Sequence, residues 1–155
     1  MTPVDARAAL LCAECRRDWA AVKTHLARAR GADPTRGAPE AALVALSLDH
    51  AYQAFETILV RLERGAGLPE RIGSSWHVAL LADAALPVPG LRPALFSREG
   101  LAEWDALLRF RHFLRHAYVI DLDADKLVVN VGRLERAVEA TDAWLEDVVA
   151  GLLGD

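Results

Sequence analysis

The stretch Leu48-Asp49-His50-Ala51-Tyr52-Gln53-Ala54-Phe55-Glu56-Thr57-Ile58-Leu59-Val60-Arg61-Leu62 decides the fold. Leu48, Tyr52, Phe55, Leu59 and Leu62 recur at alternating steps of four and three, which at 3.6 residues per turn aligns them on one face of a helix. That face marks a core helix. Pro39 suits its first turn, Arg61 and Arg64 suit its C-terminal end electrostatically, and Gly65 and Gly67 provide the stop.

Helical signals continue on both sides. Thr2 is placed to cap a first helix, with Pro3 at its first position and Asp5 completing a capping box; Gly31 ends it, and residues 31–37 read as a loop. Downstream, Ser74 or Ser75 caps a short third helix carrying Trp76, Leu80 and Leu81, and the segment Leu86 to Phe96, with its three prolines, reads as an extended connector. Ser97 opens a fourth helix with two adjoining stripes, Leu107, Phe110, Leu114 and Ala117 beside Leu101, Trp104 and Leu108. Arg111 continues the second stripe, and a charge facing the packed side needs a partner or a ligand. A last helix starts near Asp123 and carries Leu127, Val131, Leu134, Val138, Thr141, Leu145, Val148 and Leu152 at heptad spacing, a seam that packs within a bundle or across a dimer. The expectation is an all-α, up-and-down bundle of about five helices, without a strand or an internal repeat, and a single domain over residues 1–155.

Composition narrows the function classes. With 53% hydrophobic and 26% charged residues the 155-residue chain is of the globular type, long enough to bury a core without disulfide or metal. No apolar run is long enough to cross a bilayer and the charged start, Asp5 and Arg7, does not read as a signal peptide, so a cytoplasmic location is expected. A net charge of −4 argues against nucleic-acid binding through a broad basic surface, yet leaves room for a local basic pocket. Cys12 and Cys15 have C-x-x-C spacing, but no second pair follows and they fall inside a helix, so they read as structural thiols.

The local pocket is Arg111-His112-Phe113-Leu114-Arg115-His116-Ala117-Tyr118, with Arg109 just before it. A guanidinium holds phosphate with a planar fork of donors, and an imidazole exchanges protons near neutral pH, so phosphodiester chemistry is the leading expectation. Spacing alone also fits a solvated helix end whose basic residues match the helix dipole. Arg111 and His116 stand about 140° apart on an ideal helix and do not share a face. They converge only if the helix ends or distorts near His116, or if a second protomer brings its own copy across a two-fold axis.

Arg111-His112-x3-His116-Ala117-Tyr118, followed by Ile120-Asp121, resembles the Arg-x4-His-x-Tyr motif of HepT toxins in the HEPN superfamily. The resemblance runs from about Leu48 to Leu134, through Asp49-His50-Ala51-Tyr52, Glu56 and Ser75-Trp76-His77. It implies a helical-bundle ribonuclease that works without metal or other cofactor, as a homodimer with two motifs facing each other. It also implies an RNA substrate and, as partner, a minimal nucleotidyltransferase antitoxin of the MntA type, which silences the toxin by adenylylating the motif tyrosine. Carried over by position, Arg111 and His116 are the catalytic pair, His112 an auxiliary group, Arg109 and Arg115 contacts to RNA, and Tyr118 the modified residue. The residue types suit that reaction, in which a 2′-hydroxyl loses a proton, a leaving oxygen gains one, and phosphate oxygens acquire charge.

Other features read more plainly. His50 and His77 are expected to be packed or hydrogen-bonded rather than metal ligands. Glu56 adjoins the core stripe, where solvation is expected ahead of a role buttressing an arginine. Asp121-x-Asp123-x-Asp125 has Lys126 where a calcium loop requires glycine and Gly132 where it requires glutamate, and is better explained as capping the last helix. Two further function classes stand beside the nuclease: a non-catalytic HEPN module that binds a nucleotidyltransferase, and a structural dimerisation bundle built on the last helix's seam.

Overall fold

The structure, a computed structural model, describes residues 2–90, 92–116 and 121–153, with the side chains of 152 and 153 excepted. Among them are five α-helices: α1 Pro3–Gly31, α2 Ala38–Gly65, α3 Trp76–Ala84, α4 Arg98–His116 and α5 Ala124–Leu153. No strand occurs among the described residues, and the all-α bundle matches the expectation. The first helix begins on the expected capping box: the Thr2 hydroxyl accepts from the Asp5 amide at 3.2 Å and the Asp5 carboxylate accepts from the Thr2 amide at 2.8 Å. Asp123 starts α5, its carboxylate accepting from the amides of Asp125 and Lys126 at 2.9 and 3.3 Å, so the acidic run does cap that helix.

Three local expectations change. The loop after α1 contains a short 3-10 turn, Pro34–Arg36, held by Asp33 accepting from the Thr35 amide at 2.9 Å. Ser75 precedes α3 without making a capping bond; the loop before it is instead held by Arg71, which donates to Glu63 at 2.8 Å and to Asp83 at 2.7 Å. Residues 86–90 and 92–96 are turned rather than extended. Gly90 takes φ +78°, Val88 and Arg92 exchange backbone hydrogen bonds at 2.8 and 3.0 Å, and the Arg92 side chain donates to the carbonyls of Asp83 and Leu86. The last carbonyls of α3 draw the chain back: those of Ala82, Asp83 and Ala84 accept from the amides of Ala85, Leu86 and Leu95, and the Arg92 side chain adds donors at the same helix end.

The core sits around α2, whose face Leu48, Tyr52, Phe55, Leu59 and Leu62 is buried throughout. Helix α1 packs along α2 more extensively than any other pair of elements. The Phe55 ring stacks on Trp104 of α4 at 3.7 Å with planes 7° apart, and the Trp104 indole donates to Thr141 of α5 at 2.9 Å. Gly100 lets α4 approach α5, since a Cβ there would stand 3.2 Å from that of Ala140. The α5 seam, with Leu127, Leu134, Thr141 and Leu145 nearly inaccessible, is spent inside the chain against α1, α2 and α4. Among the described residues that seam is therefore largely committed within the chain. Cys12 and Cys15 are free and buried, and burial pushes the Cys15 thiol up to about 11, which suits structural thiols.

One strained point lies between α1 and α2. The buried Nδ1 of His25 has no hydrogen-bond partner among the described residues, and its ring meets His50 edge-on at 5.3 Å. Burial, then His50 and Arg28, hold the His25 pKa below the usual histidine value. The unfolded chain therefore takes up this proton more readily than the folded one, so the contribution is present above the ordinary histidine range and is lost as pH falls through it. The thermal midpoint is expected to drop between about pH 7.5 and pH 5.5, with a shallower drop in His25→Gln. Equal slopes in the two proteins would clear His25 of that role.

Candidate functional site at the end of helix α4

The Arg111 side chain continues the buried line of Trp104 and points into the bundle, where it is 6% exposed. Its Nε donates to Asp49 Oδ1 at 3.0 Å, its Nη1 stands 3.6 Å from Glu56 Oε1, and its guanidinium carbon lies 5.7 Å from the Tyr52 ring centre. The other Glu56 oxygen meets His77 Nδ1 at 2.7 Å, and the His77 ring stacks on Trp76 at 3.6 Å. Helices α2, α3 and α4 are thus joined through one cluster of charge. The expected partner of Arg111 is a pair of carboxylates.

Glu56 is the clearest correction: it is buried, with one oxygen toward Arg111 and the other toward His77, rather than solvated. A charge taken out of water needs opposite charge and hydrogen bonds, and Arg111 and His77 supply both. His77 is hydrogen-bonded and His50 packed, as expected. The sequence did hold a signal for the carboxylates: Asp49 and Glu56 are seven residues apart on one line of α2, with Tyr52 between them.

The other half of the cluster faces away. Helix α4 is regular through His116, so no distortion among the described residues brings Arg111 and His116 together. Arg109, His112 and His116 fall within about 60° on the outer face, while Arg111 and Arg115 lie within about 40° on the side toward α2. Arg109 is exposed and paired with Asp105; Arg115 is exposed, its Nε 3.9 Å from Asp49 Oδ1. Tyr118 lies outside the described residues.

The exposed imidazoles are ordered by one contact. His116 Nδ1 lies 2.8 Å from the His112 carbonyl oxygen, and a carbonyl only accepts, so Nδ1 carries the hydrogen. In the neutral ring the lone pair is therefore on Nε2. The two rings stand 4.1 Å apart with planes at 32°. An outward imidazole with one nitrogen anchored and the other available can accept a proton and return it.

A HEPN-type helical bundle is the class that this fold and motif define. The model of the family described as HepT-like protein matches residues 43–152, from the first turns of α2 to the end of α5, and the chain belongs to that family. No curated protein and no solved structure matches it. Among the described residues no group of three or more His, Cys, Asp or Glu is placed to hold a metal ion, and no helix is long and apolar enough to cross a membrane.

The cluster makes two stability predictions. Glu56→Ala leaves Arg111 with one fewer carboxylate in a buried site and is expected to cost about 3–5 kcal/mol, whereas Arg109→Ala, at an exposed pair, leaves stability within error. Denaturant titration checks both, and a loss below about 1 kcal/mol in Glu56→Ala would show that the cluster is not the clasp described. The Tyr52 hydroxyl is buried and finds no partner among the described residues, and burial with Glu56 nearby raises its pKa, so the group stays neutral. Tyr52→Phe is expected to be as stable as the natural chain or more so, by about 1 kcal/mol; a lower thermal midpoint contradicts the unsatisfied state of that phenol.

Proposed function

We propose that this HepT-like chain is a ribonuclease toxin of a toxin–antitoxin pair, cutting RNA without a metal ion through Arg111 and His116. The observation that carries the reading is the outward His116 imidazole, anchored at Nδ1 with Nε2 turned to solvent, on a helix within the residues that match the family. In the forward step Nε2 takes the proton of the 2′-hydroxyl, the oxygen bonds to the adjacent phosphorus, and the bond to the 5′-oxygen breaks. The leaving oxygen collects a proton from a second imidazole, that of His112 or of His116 on a second copy, giving a 2′,3′-cyclic phosphate and a 5′-hydroxyl. Arg111 has Nε and Nη1 directed at carboxylates, and its remaining N–H groups hold non-bridging oxygens. Arg109 and Arg115 contact neighbouring phosphates. Because Arg111 and His116 face different ways in one chain, the reading requires a homodimer that supplies one group from each copy.

Control belongs to the same proposal. An MntA-type nucleotidyltransferase adenylylates Tyr118, adding an anion beside the basic cluster that takes the place of RNA phosphate. The location is cytoplasmic and residues 1–155 act as one domain. A second reading has its own support: the burial of Arg111 and its commitment to Asp49 and Glu56 favour a structural arginine in a non-catalytic module that binds the transferase.

Incubation of purified protein with RNA in EDTA tests the first reading. Cleavage is expected, lowered by about two to four powers of ten in His116→Ala, whose side chain is exposed and leaves the fold intact. Arg111→Lys keeps the buried charge and is expected to lower the rate as well. Natural activity in both variants, or none in the natural chain together with no growth arrest on expression, decides for the module. Mass spectrometry after reaction with the transferase and ATP is expected to find the nucleotide on Tyr118, and a label elsewhere removes that element of control.

A further inference from the structure

His112 and His116 offer a second chemistry. They lie four residues apart on α4, within about 40° on the outer face, and both side chains are exposed. Two imidazoles one helical turn apart form the arrangement by which a single helix presents two nitrogens to one zinc ion. Zinc–nitrogen bonds of about 2.0–2.1 Å in a tetrahedral site place the two nitrogens about 3.3 Å apart. The ring centres stand 4.1 Å apart and tilted by 32°, and χ rotations of these exposed side chains spread the rings and turn one nitrogen of each toward a common point.

Two further observations favour a metal ion. The bond from His116 Nδ1 to the His112 carbonyl fixes the tautomer that leaves Nε2 as a ligand, which is how ligating histidines are ordinarily oriented by their outer partners. The neighbouring cations that would repel a dication are each set against carboxylates: Arg109 by Asp105, Arg115 by Asp49, and Arg111 by Asp49 and Glu56. Other soft donors in the bundle are less suited. Cys12 and Cys15 are buried thiols, and His25 has its Nδ1 shut away from solvent.

We infer that His112 and His116 form a two-histidine site for a borderline transition-metal ion, Zn²⁺, Cu²⁺ or Ni²⁺, with water in the remaining positions. Hard cations such as Mg²⁺ and Ca²⁺ prefer oxygen ligands and are not held there. Occupancy takes the lone pair of His116 Nε2, so the ion is an inhibitor of the proposed nuclease rather than its cofactor. That inhibitory half rests on the nuclease reading; the binding half does not.

The test titrates the full chain with Zn²⁺ by calorimetry, and with Co²⁺ by visible absorption, alongside His112→Ala, His116→Ala and His50→Gln. Saturable binding is expected in the natural chain and in His50→Gln, weakened about ten-fold or more in each α4 variant. Thermal melts of the variants confirm that they are folded. Natural affinity in either folded α4 variant, or no saturable binding in the natural chain, overturns the site. RNA cleavage measured in EDTA and then with Zn²⁺ separates the two readings. Binding without any cleavage in EDTA sinks the nuclease and leaves the metal site. Cleavage in EDTA that a saturating amount of Zn²⁺ leaves unslowed overturns inhibition through this pair.

Discussion

A guanidinium that loses its water must find opposite charge, and the meeting of Arg111 with Asp49 and Glu56 is the contact on which the arrangement of α2, α3 and α4 depends. An apolar stripe tolerates some sliding, because one aliphatic contact resembles another. A buried ion cluster does not: moving α4 by one turn would strand a charge in the core, at a cost larger than most single packing changes. The Phe55–Trp104 stack supplies contact area close by, and the cluster sets the register of that contact. Glu56 extends the constraint to the short helix α3 through His77.

The same contact divides α4 lengthwise. On one side Trp104, Leu107, Leu108 and Arg111 are buried; on the other Arg109, His112 and His116 meet solvent. A motif that is contiguous in sequence is therefore split in space. Family membership brings expectations for the motif as a unit, while the geometry treats its arginine and its histidine as residues with different surroundings and different partners. Any joint action of the two on one phosphate has to be assembled from more than one face.

Much of this was legible beforehand because it is local. The α2 stripe, the Thr2–Asp5 box, the Asp123 cap and the glycine stops depend on residues within a turn or two of one another, and each appears as read. The inward position of Arg111 was also legible, since it prolongs a stripe. What escaped is tertiary. Glu56 looked like a solvated neighbour of the core because its partners come from residues 77 and 111, and no spacing rule reaches that far. The segment after α3 looked extended because prolines disfavour helix, whereas the Val88–Arg92 backbone pair, the Leu95 amide on the Ala84 carbonyl and the Arg92 side chain on the Asp83 carbonyl turn it back onto the end of α3. The orientation of His116 by the carbonyl of His112 is helical in origin but depends on a rotamer that composition does not specify.

The lengthwise division of α4 has a consequence for how such a protein can change. Substitutions on the outer face change its exposed side chains without removing stability, since those side chains contribute little to the packed bundle. A lineage that loses His116 retains a folded molecule with its α2–α4 clasp intact. Loss of the exposed imidazoles and loss of the fold are thus separable by single substitutions, and the outer face can be remodelled without passing through an unfolded intermediate.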